Sequence, residues 1–271
     1  MTGPSFDRLL LTGAAGALGS TLRPRLRALC RTLRVSDKAD PGSAGPGEEV
    51  VIAALEDAAA MDALLDGVDA VIHFGGIMRE DWDAILAGNI VGLYNLYEAA
   101  RRHGVRRVVY ASSNHATGFY RTDQLISPND PVRPDCLYGL SKCWGEDIAR
   151  LYFDRYGIET ACLRIGSAFP EPKDRRMLAT WLSYDDLERL VRACLTAPVV
   201  GHSIVYGVSA NPVCWWDNSA AAHLGYHPQD SSERFRAAIE AAHPPLDPRN
   251  PDTLHQGGAF IHVQAHDQTS S

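Results

Sequence analysis

The sequence predicts an α/β fold, a doubly wound parallel sheet with a small C-terminal capping region. Three observations support this prediction. Short apolar runs alternate with segments of helical periodicity between Arg8 and Ile165, a glycine-rich turn follows the first apolar run, and a tyrosine and a lysine stand four residues apart on a later helix. Alternation of this kind is typical of parallel sheets that are covered by helices on both faces.

Six strands and four helices are predicted in the first part of the chain. Each predicted strand is a short apolar run, and each predicted helix repeats its apolar residues every three or four positions. The predicted strands are Arg8–Thr12, Thr32–Ser36, Val50–Ala53, Asp69–Phe74, Arg107–Ala111 and Thr160–Ile165, and the predicted helices are Ser20–Leu29, Asp57–Leu65, Trp82–His103 and Leu137–Tyr156.

The alternation weakens after Gly166. A helix at Tyr184–Leu195, a strand at Ser203–Tyr206 and a helix at Ser232–Ala242 are still predicted, separated by stretches rich in glycine and proline. We therefore interpret residues 1–166 as a dinucleotide-binding core with the catalytic residues, and residues 167–271 as a smaller substrate-binding and capping region interleaved with that core.

The composition indicates a soluble globular protein. The chain has 271 residues, 45% of them hydrophobic and 22% charged, with a formal net charge of -7. An acidic chain has no overall field that attracts nucleic acid, and no segment resembles a signal peptide or a membrane span. Its six cysteines lack metal-binding spacing. We expect a cytoplasmic protein without a metal site, a nucleic-acid partner or a membrane partner.

The glycine-rich turn predicts a dinucleotide site. Gly13, Gly16 and Gly19 follow the first strand directly and lead into a helix. Glycines permit a tight turn and a close backbone approach, and the helix N-terminus offers free N–H groups to a pyrophosphate. Asp37 ends the second strand, about 20 residues further on, where an acid accepts hydrogen bonds from the adenosine ribose. Because an acid disfavours a 2′-phosphate, we predict NAD rather than NADP.

Tyr138 and Lys142 form the second half of the predicted site. Four residues apart on a helix, they share one face. A phenol titrates near pH 10 and is a poor base at neutral pH, but a nearby ammonium favours the phenolate. The pair therefore indicates a tyrosine that acts as a base.

Several of these residues fall at the carboxyl ends of predicted strands, where open α/β sheets bind their ligands. Ser112, Ser113, Asn114 and His115 form a polar run at the end of the fifth strand, and Ser113 is placed to hold a reacting oxygen. Asn89 lies inside a predicted helix and is either a satisfied core amide or the anchor of a water molecule near the lysine.

These motifs together resemble a known family. The stretches Thr12–Gly19 and Tyr138–Lys142 are similar to extended short-chain dehydrogenases/reductases. Longer stretches resemble uronate dehydrogenases within that group, and the resemblance extends over nearly the whole chain. These longer stretches are Asn89–Ala100, Ser112–His115, Leu137–Glu146, Arg164–Ser167, Ser209–Asn218 and Gln256–Gly258.

The resemblance implies oxidation of D-glucuronate or D-galacturonate at C1, with NAD as acceptor and an aldarolactone as first product. It implies that Tyr138 is the base, Lys142 its helper and Ser113 the oxygen-binding serine. It also implies a substrate-binding set in which an arginine clamps the sugar carboxylate. This set is Ser113, Asn114, His115, Ser167 and, as the arginine, Arg176.

The resemblance also implies a set of cofactor-binding residues along the strand ends. Two positions depart from the family, since Ala54 replaces an acid that reaches the adenine amine and Met78 replaces a serine that bonds the substrate. The implied cofactor set is Gly13, Gly16, Ala17, Leu18, Gly19, Asp37, Leu55, Phe74, Gly75, Gly76, Asn89, Ser112, Tyr138, Lys142 and Ile165.

Two other functions remain open from the sequence. A nucleotide-sugar epimerase or dehydratase shares the glycine turn and the tyrosine–lysine pair, but it needs a larger C-terminal lobe than the residues after Gly166 provide. A protein that only senses NAD has no need for the catalytic residues. A homo-oligomer is expected by analogy, because exposed helices of such folds often pair.

Overall fold

The computed structural model describes residues 5–247 and 249–262. Within these ranges it has nine strands, of which seven form one parallel sheet and two form a short parallel pair. The strands are β1 Phe6–Thr12, β2 Cys30–Asp37, β3 Glu48–Ile52, β4 Ala70–His73, β5 Arg107–Ser113, β6 Glu159–Ile165, β7 Ser167–Ala168, β8 Trp181–Leu182 and β9 His202–Gly207.

The main sheet has the order β3-β2-β1-β4-β5-β6-β9, and every neighbouring pair is parallel. Nine α-helices connect and flank these strands within the described residues. They are α1 Ala17–Leu26, α2 Ala58–Leu65, α3 Trp82–Ile85, α4 Gly92–Arg102, α5 Leu137–Tyr156, α6 Met177–Thr180, α7 Tyr184–Thr196, α8 Arg236–Ala242 and α9 Pro251–Leu254.

The two faces of the sheet carry separate hydrophobic cores, as a doubly wound fold requires. Leu9 and Leu11 of β1 belong to the core under α1 and α7, while Leu10 belongs to the core under α2, α4 and α5. Successive side chains of a strand point to opposite faces of the sheet. All three leucines are fully buried, because each face is covered by a core. The predicted fold class is therefore confirmed.

The predicted elements differ from the structure in a few places. Helix α1 begins three residues earlier than predicted, since it starts directly after Gly16. The predicted long helix over 82–103 is helical from Trp82 to Arg102, but a π-helical segment at Leu86–Val91 lies between α3 and α4. Ser112 and Ser113 belong to β5, whose ladder with β6 continues to Ser113. Helix α5 has the predicted bounds.

Residues after Gly166 contribute to the central sheet as well as to its carboxyl edge. Strand β9 pairs in parallel with β6, from Thr160↔His202 to Ile165↔Gly207, and forms the seventh strand. Among the described residues, the structure has no helix with both the length and the apolar character needed to cross a membrane.

A buried ion pair fastens α5 to the sheet. Arg164 of β6 donates from Nη2 to Glu146 Oε2 at 2.8 Å and from Nε to Glu146 Oε1 at 2.9 Å. Both side chains are almost completely buried. Burial disfavours the charged arginine, but the hydrogen bonds to Glu146 outweigh it, so the pKa of Arg164 is raised above its ordinary value. Arg164 also donates to the hydroxyl of Tyr206 in β9, which joins α5, β6 and β9.

We expect the substitution Arg164→Met to lower the free energy of unfolding by about 3–5 kcal/mol, because it leaves the Glu146 carboxylate buried without its partner. Urea unfolding followed by circular dichroism measures this loss. The double substitution Arg164→Met with Glu146→Leu removes both charges and should cost less than the single one. A single variant as stable as the parent would contradict the assignment.

Candidate active site

The glycine turn after β1 leaves room for a ligand at the carboxyl edge of the sheet. Gly13 has a φ of 73°, and a Cβ added there would lie 2.4 Å from the carbonyl carbon of Phe74. A Cβ on Gly19 would lie 2.0 Å from the carbonyl oxygen of Gly13. Any larger residue would therefore push the turn away from β4, and this close approach is what the glycines permit.

Helix α1 points its N-terminus into this space. Gly16 is its N-cap, Ala17 its first residue, and among the described residues no side chain caps it. Leu18 packs into the core beneath and fixes this end of the helix to the sheet. Free N–H groups and the positive end of the helix dipole favour a phosphate here.

Asp37 is held beside the glycine turn by two backbone groups. Its Oδ2 accepts a hydrogen bond from Ala15 N at 3.1 Å, and its Oδ1 accepts one from Ala39 N at 3.2 Å. A groove of about 120 Å³ runs past this carboxylate along the strand ends. Predicted cofactor residues among those that line it are Gly13, Gly16, Asp37, Leu55, Phe74, Gly75 and Gly76.

These features fit a dinucleotide. The helix N-terminus suits the pyrophosphate, the carboxylate suits the hydroxyls of a ribose, and the glycines leave the groove open to the backbone. Lys38, the residue directly after Asp37, also lines the groove.

Asn89, in the π-helical segment, braces the loop that follows Gly76. Its Oδ1 accepts from Ile77 N at 2.7 Å, and its Nδ2 donates to Ile77 O at 2.9 Å and to Ser141 Oγ at 2.9 Å. The side chain is buried. Its amide is thus satisfied by protein groups, which favours the structural interpretation over a water anchor. It fixes the loop that lines the groove to the helix that carries Tyr138.

The N-terminal turn of α5 lies closely against the end of β5. A Cβ on Gly139 would lie 2.4 Å from the carbonyl oxygen of His115, so only glycine permits this approach. Lys142, one turn further on, is 4% exposed, and its Nζ lies 5.4 Å from the ring centre of Tyr138 and 4.9 Å from that of Tyr110. The predicted tyrosine–lysine pair is therefore formed, with Lys142 buried and Tyr138 partly exposed.

Burial governs the protonation of this pair in the chain alone. It raises the pKa of the Tyr138 phenol to about 12, against a hydrogen bond with Ser113 that lowers it. It lowers the pKa of the Lys142 ammonium to about 8, while the charge of Glu146 opposes this change. Both groups thus lean towards their neutral forms, as desolvation requires.

Ser113 and His115 lie on the other side of the tyrosine. Ser113 Oγ also accepts a hydrogen bond from His115 N at 3.2 Å. The His115 ring meets the Tyr138 ring edge-on at 6.1 Å between centres, and its Nδ1 lies 2.9 Å from Oδ2 of the buried Asp135. A carboxylate partner fixes the imidazole orientation and leaves Nε2 available.

Arg176 reaches the same place from the loop before α6. With its amide oriented to satisfy both neighbours, Asn114 accepts from Arg176 Nη2 at 3.0 Å and donates to Ile165 O at 3.0 Å. Arg176 Nη1 is 3.4 Å from Ser167 Oγ, and its Nε donates to Gln256 O at 2.9 Å. The structure therefore brings the predicted substrate-binding residues together.

Ser112 differs from the other predicted cofactor residues. Its side chain is buried, and its hydroxyl donates a hydrogen bond to Oε1 of Glu146 in α5 at 2.6 Å. Only its backbone remains for a ligand. Ile165 likewise presents its backbone, since its side chain belongs to the core.

One group of side chains has the composition of a metal site. Potential ligand atoms of His115, Asp135 and Cys136 lie within 4.8 Å of one another. The histidine and the aspartate are hydrogen-bonded to each other. The cysteine sulfur accepts a hydrogen bond from Gly139 N, and burial raises the pKa of its thiol well above the ordinary value. These hydrogen bonds account for the close approach of the three side chains.

Three residues of the site were missed from the sequence. Glu80 is 5% exposed and accepts hydrogen bonds from Leu137 N at 2.8 Å and Tyr138 N at 2.9 Å, so it holds the start of α5. Phe260 stacks on His115 with ring centres 4.1 Å apart, and Gln256 contacts Arg176. Glutamate is favoured at the N-terminal end of a helix. Glu80 and Leu137 are 57 residues apart in the sequence, however, so no local pattern indicates their contact.

The model of the NAD dependent epimerase/dehydratase family matches residues 9–184. A uronate dehydrogenase of Pseudomonas putida is 57% identical over 262 residues, 96% of this chain and 97% of that protein. The crystal structure of a glucuronic acid dehydrogenase from Chromohalobacter salexigens superposes with a TM-score of 0.95 at 50% identity, over 97% of this chain and 99% of that one.

A mutant uronate dehydrogenase from Agrobacterium tumefaciens, crystallised in complex with NAD, gives a TM-score of 0.94 at 49% identity, over 97% of this chain and 100% of that one. This similarity agrees with the glycine turn, the tyrosine–lysine pair and the strand order of the sheet in this chain. The chain belongs to the NAD dependent epimerase/dehydratase family and, within it, to the uronate dehydrogenases.

Proposed function

We propose that this protein oxidises a hexuronic acid, D-glucuronate or D-galacturonate, at C1 to the aldarolactone with NAD as the acceptor. The observation that carries the proposal is the convergence of a tyrosine–lysine pair, with the lysine buried, and an arginine hydrogen-bonded to neutral groups at the end of a dinucleotide groove. The identity to uronate dehydrogenases supports this activity over a nucleotide-sugar epimerase or an NAD sensor.

The cofactor set proposed from the sequence would hold NAD along the groove, where Asp37 suits the hydroxyls of a ribose and the start of α1 suits a pyrophosphate. When bound, NAD supplies the hydride acceptor for C1 and a positively charged ring. Tyr138 takes the proton of the C1 hydroxyl, and Ser113 donates a hydrogen bond to the same oxygen.

Lys142 makes the base competent. Burial raises the pKa of Tyr138 to about 12 although a hydrogen bond with Ser113 lowers it, so proton removal near neutral pH needs further positive charge close to the phenol. Lys142 Nζ, 5.4 Å from the ring centre, supplies part of it. Its own pKa of about 8 keeps it charged at neutral pH.

Arg176 binds the sugar carboxylate. Burial lowers the pKa of its guanidinium, yet an arginine stays protonated in proteins. Its hydrogen bonds go to a carbonyl, a hydroxyl and an amide oxygen, all of them neutral. A desolvated cation with neutral partners gains most from an anionic ligand. Asn114, Ser167 and His115 bind sugar hydroxyls beside it.

We also propose a cytoplasmic homo-oligomer. Tyr94 of α4 and Leu140, Leu151 and Tyr156 of α5 are large apolar side chains that are about half exposed on one pair of neighbouring helices. A second copy of the chain would cover them. The six cysteines are all free thiols, which supports a reducing compartment.

The activity is tested by following NAD reduction at 340 nm with D-glucuronate, D-galacturonate and the matching neutral sugars. We expect turnover of the uronates, and a fall in kcat of about 10²–10⁴-fold for Tyr138→Phe because the base is lost. Tyr156→Phe, at the other end of α5, removes the same hydroxyl far from the groove and should leave kcat unchanged. A Tyr138→Phe variant with normal turnover would reject the role of the base.

We expect Asp37→Ala to raise the KM for NAD by about 10–100-fold, because hydrogen bonds from the ribose to a charged acceptor are lost. The KM for NADP should rise less, since the carboxylate no longer repels the 2′-phosphate. Steady-state kinetics with both cofactors measures the ratio. Asp40→Ala, on the exposed loop nearby, is the matched control. An unchanged KM for NAD would show that Asp37 does not contact the cofactor.

The pKa of Lys142 predicts a pH dependence of stability. Its folded pKa of about 8 lies below the ordinary 10.5, so between these pH values the unfolded chain binds a proton that the folded chain does not. The free energy of unfolding therefore rises with pH across this window, by about 1.4 kcal/mol per unit of pKa difference at most.

Lys142→Met should remove this rise. Urea unfolding of parent and variant at pH 7.5 and pH 10 measures it, because other titrations are common to both proteins. Lys38→Met, at an exposed lysine, should keep the parent's pH dependence. Equal pH dependence of the parent and the Lys142 variant would contradict the depressed pKa.

A further inference from the structure

The chain returns to the substrate side of the site near its C-terminus. We call residues 255–262 the C-terminal strap. Gly257 N donates to Gly118 O at 2.9 Å, and a Cβ on Gly257 would lie 1.6 Å from Oδ2 of Asp135. The strap therefore lies directly against the aspartate that orients His115. Phe260 of the strap covers the His115 ring.

Gln256 fastens the strap with bonds to two separate segments, the loop at 120–124 and Trp216. It is fully buried. Its Nε2 donates to the carbonyl oxygens of Arg121 at 3.0 Å and Gln124 at 2.9 Å, and its Oε1 accepts from Trp216 Nε1 at 2.8 Å. Its backbone N donates to Tyr120 O at 2.8 Å. A side-chain amide is the group that provides two donors and an acceptor at one position, so this contact is specific for glutamine.

The carbonyl of the same residue holds Arg176. Both Nε and Nη2 of Arg176 donate to Gln256 O. On the other side, the backbone of Gly258 lies so close that an added Cβ would be 2.9 Å from Cδ and Nε of Arg176. Two residues of the strap therefore contact the Arg176 side chain around Nε, and its Nη1, 3.4 Å from Ser167 Oγ, is the nitrogen least engaged.

A planar guanidinium binds a carboxylate well only in a fixed orientation. We propose that Gln256 is a positioning residue for uronate binding, which acts by docking the C-terminal strap so that its carbonyl and Gly258 orient Arg176 towards the sugar carboxylate. This inference rests on the proposed function. It assigns the preference for sugar acids to the strap as well as to the arginine itself.

The first test is Gln256→Glu. The substitution keeps the shape and the acceptor for Trp216, but it places a carboxylate oxygen against the carbonyls of Arg121 and Gln124, so the strap is released. We expect the KM for galacturonate to rise roughly 10–100-fold, which corresponds to the loss of a hydrogen bond between charged groups. The kcat and the affinity for NADH should be unchanged. Gln229→Glu makes the same charge change at an exposed position and should have no effect.

The second test leaves Gln256 intact. Gly258→Ala presses a methyl group directly on Arg176, and Gly258 has a φ of 69°. Gly225→Ala introduces the same backbone strain at a φ of 73°, where no atom lies within 4 Å of the added Cβ. We expect the KM for galacturonate to rise in the first variant and not in the second. This pair separates displacement of the arginine from loss of stability.

Binding provides a readout that does not depend on turnover. Calorimetric titration of galacturonate into the enzyme saturated with NADH should show weaker binding in Gln256→Glu and Gly258→Ala. In an Arg176→Met background, Gln256→Glu should add little, because the group through which it acts is absent.

An unchanged affinity for galacturonate in folded Gln256→Glu and Gly258→Ala proteins would overturn the proposal. Equal losses for galacturonate and NADH, or full additivity with Arg176→Met, would do so as well. If the parent binds galacturonate without reducing NAD, the proposed function fails while the strap is still tested by binding.

Discussion

The buried pair of Glu146 and Arg164 is the interaction on which the position of the site depends. It joins the middle of α5 to β6, and Arg164 extends the connection to Tyr206 of β9. Tyr138 and Lys142 lie on the same helix, two turns and one turn before Glu146. A buried ion pair contributes little net stability, but it tolerates few alternative arrangements because an unpaired charge is costly. The pair therefore fixes where the phenol lies relative to the strand ends.

Desolvation disfavours the charged forms of Tyr138 and Lys142, which are the forms that the proposed reaction uses. Desolvation moves the pKa of Tyr138 up to about 12 and that of Lys142 down to about 8. Each change costs reactivity at neutral pH, and positive charge near the phenol offsets it. Under the proposed function, Tyr138 would therefore need the further positive charge that bound NAD brings.

Two loops connect the groove to the substrate side. After β4, Asn89 holds the loop at Ile77, and Glu80 at the end of that loop holds the first turn of α5. At the C-terminus, Gln256 docks the strap that contacts Arg176. Met78 lies in the first of these loops, and its side chain is 61% exposed.

The sequence by itself determined the features that depend on local patterns. Alternation of strand and helix predicted the doubly wound sheet, and the bounds of α5 were predictable because Gly157, in the left-handed conformation, ends the helix. The tyrosine and the lysine share a face through helix geometry alone. Only the tertiary structure decided the contacts between distant segments, such as Glu80 on α5 and Gln256 on Arg176. These contacts form because polar groups are buried against the backbone of other loops. Contacts of this kind leave no periodic pattern in the sequence.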